Sequence, residues 1–331
     1  MKVKYPERLE LSQLPTPIHH LKRFSKNFGD GVKIYIKRDD LTGLELTGNK
    51  IRKLEFLLAD AIKNGCDTIL TYGSIQSNHC RATAAACAKL GLKCKLILRT
   101  PPPDKPYDGN LLLDELLGAE ISFIPREEFV SKKSEILDRT IKQLSKKGRK
   151  VYYFPVGGSI PLGCWGYIKC FEEIIKQSKS LCVKFDRIFC ALGSGGTQTG
   201  LILGRELFDA KETHIWGVNV CDDEEYFRKE ITNLLDETIN VFNLKLRVED
   251  IPINIIDGYI GKGYTIPYNE EIQVIKDLAA TEGIVLDITY TGKAFYGMLE
   301  QIKKKKIKKG ETILFIHTGG IFDIFPQKNY F

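Results

Sequence analysis

No apolar run in the 331-residue chain approaches the length of a membrane span, and membrane partners are not expected. No apolar stretch follows the opening lysines, so no secretory leader is expected and the implied setting is cytoplasmic. The nine cysteines (66, 80, 87, 94, 164, 170, 182, 190 and 221) are odd in number and contain no Cys-x-x-Cys pair. They indicate neither a disulfide framework nor a zinc knuckle, and no metal site is expected. Net charge is +7, but no arginine-rich, aromatic-interleaved face accompanies it, which argues against a nucleic-acid partner. The one dense basic run, Lys303–Lys306 with Lys308 and Lys309, closes a helical pattern. There cations complement the negative end of the helix dipole.

What remains is a globular composition, 43% hydrophobic and 27% charged, with length for two domains. Strand-like runs fall at Val32–Lys37, Thr68–Tyr72, Cys94–Leu98, Glu120–Ile124, Val151–Phe154, Arg187–Leu192, His214–Val220 and Thr312–His317. Helical periodicity covers about 50–64, 78–91, 109–117, 130–147, 165–179, 197–208, 224–238, 268–282 and 292–306. This alternation predicts an α/β chain with mostly parallel sheets and helices on both faces. Ligands of such folds bind in the loops that follow the strands.

The most informative segment is Gly48-Asn49-Lys50-Ile51-Arg52-Lys53, at the start of a predicted helix. A helix start carries partial positive charge, so three cations there point to an anionic ligand, or to a lysine joined to one. Three strand-to-helix junctions are also unusual. In Gln76-Ser77-Asn78-His79, capping accounts for one residue but not for four donors in succession, and the crowd suits a carboxylate or phenolate. Gly193-Ser194-Gly195-Gly196-Thr197 follows an apolar strand and forms an anion nest. It fails the dinucleotide fingerprint, since Gln198 stands where the third glycine belongs, and it lacks the lysine of a P-loop. A single phosphate fits it. His317-Thr318-Gly319-Gly320 follows the last strand and is expected beside that glycine turn. Tyr290-Thr291-Gly292-Lys293 opens the preceding helix, with Lys293 expected at the surface or near the phosphate.

With Lys37-Arg38-Asp39-Asp40-Leu41-Thr42, these segments resemble the pyridoxal-phosphate enzymes of the tryptophan-synthase-β fold. More narrowly, they resemble the D-cysteine desulfhydrase / 1-aminocyclopropane-1-carboxylate deaminase family, in family order from about residue 12 to 325. The resemblance implies a fold-type II enzyme: a large domain of residues 1–51 and 161–331, with a small α/β domain inserted at 52–160. It implies a homodimer and a small amino-acid substrate. Lys50 would hold the cofactor as a Schiff base, and Asn78 would bond its phenolic oxygen. Lys53, Ser194, Gly195, Gly196 and Thr197 would hold its phosphate. Ser77 and His79 would receive the substrate carboxylate, Tyr290 and Tyr264 would line the reacting face, and Gly157-Gly158-Ser159 would form another pocket loop. Catalysis would fall to Lys50, Ser77 and Tyr290, with either Lys50 or Tyr290 taking the α-proton.

Two positions separate the family's branches. Deaminases place Glu after the active-site Tyr and Leu in the His-x-Gly-Gly turn; this chain has Thr291 and Thr318. A carboxylate near the pyridine nitrogen keeps it protonated and the ring strongly electron-withdrawing, whereas a hydroxyl only hydrogen-bonds. The weaker sink suffices when a good leaving group sits on the β-carbon. The expectation is therefore α,β-elimination of D-cysteine to pyruvate, hydrogen sulfide and ammonia. The alternatives are 1-aminocyclopropane-1-carboxylate deaminase, L-cysteate sulfo-lyase, β-chloroalanine elimination and a serine dehydratase-like activity. Two departures from the family pattern stand near the site. Leu-Asp-Pro-Val before the tyrosine reads Leu286-Asp287-Ile288-Thr289, and Asp323 occupies a position commonly held by glycine.

Overall fold

The computed structural model describes residues 3–27, 31–100 and 107–331. Two open sheets organise the chain. The larger has the order β1-β2-β10-β7-β8-β9, from Ile18–His20 (β1), Lys33–Lys37 (β2), Arg187–Leu192 (β7), His214–Asn219 (β8), Asn254–Ile256 (β9) and Thr312–Ile316 (β10). The smaller has the order β5-β4-β3-β6, from Thr68–Ser74 (β3), Lys93–Thr100 (β4), Glu120–Pro125 (β5) and Val151–Tyr153 (β6). Every pairing is parallel except β1 with β2. The chain is thus an α/β protein with two mostly parallel sheets.

Helices cover both faces because the strands are apolar on both sides. The helices are Lys22–Lys26 (α1), Lys50–Lys63 (α2), Asn78–Leu90 (α3), Gly109–Leu116 (α4), Arg126–Ser131 (α5) and Lys133–Lys146 (α6). They continue with Pro161–Ser180 (α7), Gly196–Leu207 (α8), Glu224–Val241 (α9), Asn269–Glu282 (α10) and Thr291–Lys303 (α11). On one face of the larger sheet, Phe171, Leu201 and Leu235 of α7, α8 and α9 pack on Ile188 and Leu314. On the other, Phe24, Ile275 and Phe295 of α1, α10 and α11 pack on Ile34 and Phe315. The smaller sheet sits between α2, α3 and α4 on one side and α5 and α6 on the other.

Helix α7 approaches α2 and α8 through glycine. A Cβ on Gly166 would lie 2.5 Å from the Arg52 carbonyl oxygen, and one on Gly204 would lie 2.5 Å from the Phe171 Cβ. This close contact clamps α2, which carries Lys50, onto the larger sheet.

The structure corrects several sequence expectations. The helix expected at 130–147 is two helices, broken at Lys132, whose φ of −121° is not helical. Helix α7 begins at Pro161 rather than 165, because proline at the first helical position loses no intrahelical hydrogen bond. The short edge strands β1 and β9 and the short helix α1 were not expected.

Candidate active site

The carboxyl ends of β3, β7 and β10 converge on one pocket. It is lined by Asn49, Lys50, Ser77, Asn78, His79, Val156, Gly157, Ala191, Gly193, Ser194, Gly195, Thr197, Tyr290, Thr318 and Gly319. The lining holds one amine and no carboxylate, the chemistry of a site for anions. Ten of the residues expected at the site are on it: Lys50, Ser77, Asn78, His79, Gly157, Ser194, Gly195, Thr197, Tyr290 and Thr318.

Lys50 is the first residue of α2, placed there by the turn before it. Gly48 adopts φ +105°, and a Cβ at this position would stand 2.6 Å from the Thr318 carbonyl oxygen. Asn49 N–H donates to that oxygen at 3.1 Å, so the lysine is tied to the His317–Gly320 turn. Burial, then Lys53 and Arg81, oppose its ammonium form, and Asp287 counters them only in part. The pKa is lowered to about 7, and a substantial fraction of the amine is neutral and nucleophilic near neutrality. Arg52, in the same helical turn, has a different role. Its guanidinium bonds the Asp39 carboxylate at 2.8 and 2.7 Å and Glu173 at 2.9 Å. The three cations at this helix start are therefore not one anion-binding group.

At the start of α3, Ser77 is the cap: its Oγ accepts from Cys80 N–H at 3.2 Å. The N–H groups of Asn78 and His79, in the first helical turn, have no intrahelical acceptor and suit a carboxylate. The His79 side chain does not add a donor. The Thr71 hydroxyl donates to the Phe154 carbonyl at 2.9 Å, so the His79 Nε2 contact with it, also 2.9 Å, requires the proton on Nε2. Nδ1 is then bare, and it is buried without a partner among the described residues. Burial, with Lys50 and Lys53 nearby, holds the imidazole pKa well below its usual value. His79 offers a carboxylate its backbone N–H, not its ring.

The glycine turn leads into α8 and forms the opposite end of the pocket. A Cβ on Gly157 would lie 2.4 Å from Ser194 Oγ, and one on Gly196 would lie 2.8 Å from Lys53 Nζ. Backbone, hydroxyl and ammonium close in there without an intervening side chain. Lys53 lies behind the lining and donates to the Gly157 carbonyl at 3.1 Å and the Ser159 hydroxyl at 3.4 Å. Burial lowers its pKa to about 8. A buried amine beside a helix N-terminus gains from a bound phosphate dianion. Thr197 Oγ1 accepts from Asn49 Nδ2 at 3.0 Å, joining the cradle to the residue before Lys50. Gly196 N–H already donates to Ser194 O at 3.0 Å. Gly158 packs behind the lining, where a Cβ would meet Leu57 Cδ1 at 2.9 Å.

The third side is Tyr290. Its N–H donates to Asp287 Oδ2 at 2.9 Å, and its ring stands 2.9 Å from where a Gly193 Cβ would be. Its hydroxyl is hydrogen-bonded to that of Tyr264, which lies outside the lining. Thr291 is also outside it: the side chain is buried, and its hydroxyl bonds Asp287 rather than facing the pocket. Thr318 is the threonine of the pair that lines the pocket. Lys293 is neither at the surface nor at the phosphate cradle. It is buried and donates to the Ile260 and Gly263 carbonyls, both at 2.6 Å, holding the loop that carries Tyr264.

Sequence reasoning missed Asn110 and gave no individual role to Asp287 or Ser159. Asp287 is fully buried, caps α11 and lies within electrostatic reach of Lys50. Ser159 bridges Lys53 to Ser194, donating to its Oγ at 3.0 Å. Asn110 bonds Asn78. Asp287 and Ser159 lie inside quoted motifs, but nothing local marks Asn110.

These features fit pyridoxal phosphate: a poised amine, an anion cradle at a helix start, and an amide and a hydroxyl between them. The family pattern of pyridoxal-phosphate dependent enzymes matches residues 9–319. The bifunctional D-cysteine desulfhydrase/1-aminocyclopropane-1-carboxylate deaminase of Arabidopsis thaliana is 44% identical over 325 residues, covering 96% of this chain and 79% of that one. The D-cysteine desulfhydrase of Klebsiella pneumoniae is 38% identical over 322 residues, covering 96% and 95%. The crystal structure of an ACC deaminase homologue superposes with a TM-score of 0.87 at 39% identity, covering 98% of this chain and 95% of that one. The chain is therefore a pyridoxal-phosphate-dependent enzyme of the D-cysteine desulfhydrase/1-aminocyclopropane-1-carboxylate deaminase family.

Proposed function

We propose that the enzyme is a carbon–sulfur lyase that converts D-cysteine and water to pyruvate, hydrogen sulfide and ammonia. The observation that carries this reading is the lining itself, which has the Thr318 hydroxyl and no carboxylate to keep a pyridine nitrogen protonated. When bound, pyridoxal phosphate supplies an electron sink for the carbanion formed at the substrate's α-carbon.

The chain's own residues do the rest. Lys50 is the amine that would hold the cofactor's aldehyde carbon and, as a free amine, would be the base for the α-proton. Its depressed pKa leaves it partly neutral near pH 7, as a base requires. Lys53 and the Ser194–Thr197 turn would hold the phosphate, and Asn78 would donate to the ring oxygen. The Ser77 hydroxyl and the N–H groups of Asn78 and His79 hold the substrate carboxylate. The phenols of Tyr290 and Tyr264 keep their protons: burial raises both pKa values, with Tyr264 adding to it at Tyr290, and the Asp323 charge adding to it at both while the Tyr290 hydrogen bond offsets part of the rise at Tyr264. Tyr290 is accordingly a proton donor on the reacting face rather than the base.

The second reading is opening of 1-aminocyclopropane-1-carboxylate, the other activity in the name of the Arabidopsis relative. Assay of D- and L-cysteine, L-cysteate, serine and 1-aminocyclopropane-1-carboxylate for keto acid, sulfide and ammonia separates the two. Sulfide and pyruvate from D-cysteine, with little 2-oxobutyrate from the cyclopropane, supports the lyase. The reverse ranking overturns it.

A further inference from the structure

The Asn78 amide can face the pocket with either its NH2 or its carbonyl, and only the NH2 stabilises an anionic oxygen. A chain of hydrogen bonds decides which. Arg81 Nε lies 3.2 Å from Asn110 Oδ1, and a guanidinium only donates. Asn110 Nδ2 lies 3.0 Å from the Gln76 carbonyl oxygen, which only accepts. The Asn110 amide therefore has one orientation. Its second N–H then reaches Asn78 Oδ1, at 3.0 Å, as a donor. Asn78 Oδ1 is taken from behind, and its NH2 is left as the end for the pocket.

The relay is rigidly held. Asn110 and Arg81 are both fully buried. Asn110 N–H donates to Gln76 Oε1 at 2.9 Å, and Gln76 Nε2 donates to the Asp108 carbonyl at 3.0 Å. Arg81 also donates to the Thr47 carbonyl at 2.8 Å and to the Glu45 carbonyl, in the loop that leads to Lys50. One guanidinium thus ties the segment before the amine to the amide that reads the cofactor.

We infer that Asn110 is a positioning residue, which with Arg81 sets Asn78 as a hydrogen-bond donor toward the anionic ring oxygen of bound pyridoxal phosphate. Asn110→Asp tests this. An aspartate has no proton to give, so Asn78 must turn its NH2 backward and present its carbonyl to the ring oxygen. Cofactor affinity, read by absorbance titration, should fall about 10- to 100-fold in Asn110→Asp. It should fall less in Asn110→Ala, which removes the constraint without reversing it. 3-Deoxypyridoxal 5'-phosphate, which lacks the ring oxygen, should bind Asn110→Asp as it binds wild type. In an Asn78→Ala background, Asn110→Asp should add no further loss for pyridoxal phosphate. Equal losses with both ligands, or an undiminished loss in the Asn78→Ala background, would overturn the inference. Asn110→Ala supplies the same comparison if the aspartate variant does not fold. Failure of the Lys50 assignment would appear separately, as unaltered cofactor attachment in Lys50→Ala.

Discussion

The Thr289 hydroxyl donates to the buried carboxylate of Asp323, 34 residues away. These are the two departures from the family pattern near the site, and the structure makes them a pair. Thr289 precedes Tyr290, and the Asp323 charge reaches both Tyr290 and Tyr264, adding to the burial that keeps the phenols protonated. A hydroxyl at 289 and a carboxylate at 323 are each costly to bury alone and tolerable together.

Removing either partner should therefore cost stability, and the two losses should not add. Thr289→Val, Asp323→Leu and the double variant, compared by urea denaturation, should give a coupling of about 1–3 kcal/mol. Additive effects would show that the pair does not act as a unit.

Lys50 should be a liability to the cofactor-free fold. An unfolded lysine keeps its proton to about pH 10.4, whereas Lys50 in the fold releases it at about 7. Between those limits the unfolded chain binds the extra proton, so stability rises with pH, by up to about 1.4 kcal/mol per unit. Below pH 7 the penalty is fully present, and above the unfolded pKa it is gone. Lys50→Met, free of cofactor, should be more stable than wild type, most at pH 6 and progressively less toward pH 10. A pH-independent difference would contradict the depressed pKa.

Lys53 should act chiefly on the phosphate, with a smaller effect through the Lys50 pKa that it helps to lower. Lys53→Met should weaken binding of pyridoxal phosphate by about 10- to 100-fold, the value of a hydrogen bond to a charged group. Its affinity for pyridoxal, which has no phosphate, should change much less. Equal losses for both ligands would mean that Lys53 serves the fold rather than the cradle.

The two threonines that distinguish the branches should separate in their effects. Thr291→Glu puts a second carboxylate against the buried Asp287, which Thr291 now bonds, and should lower the melting temperature. Thr318→Leu removes a pocket hydroxyl and should leave the melting temperature near wild type. Together they should move activity from D-cysteine toward ring opening. A double variant that keeps full D-cysteine turnover and gains no deaminase activity would remove the basis for the branch assignment.

Much of the fold was legible because its signals are local. Apolar runs marked eight of the ten strands of the described residues, and glycines and capping residues marked the turns around Lys50, Asn78, Ser194 and Thr318. β1 and β9 escaped because Ile18–His20 and Asn254–Ile256 are three residues each and include polar ones, unlike the equally short Val-Tyr-Tyr of β6. The break at Lys132 escaped because the apolar pattern runs through it. Thr291 and Lys293 were placed wrongly with respect to the pocket, since residues adjacent in sequence at a helix start point in different directions. Asn110 was invisible for a deeper reason: its role consists of contacts with Arg81, Gln76 and Asn78, which only the tertiary fold assembles.

Every step assigned to the pocket depends on the ε-amino group of Lys50 joining the cofactor's aldehyde. Borohydride reduction of cofactor-saturated enzyme, followed by peptide mass spectrometry, reads this directly. A pyridoxyl-phosphate adduct on the peptide containing Lys50, absent from Lys50→Ala, is the predicted result. A stoichiometric adduct on another lysine, or none on any, would contradict the account.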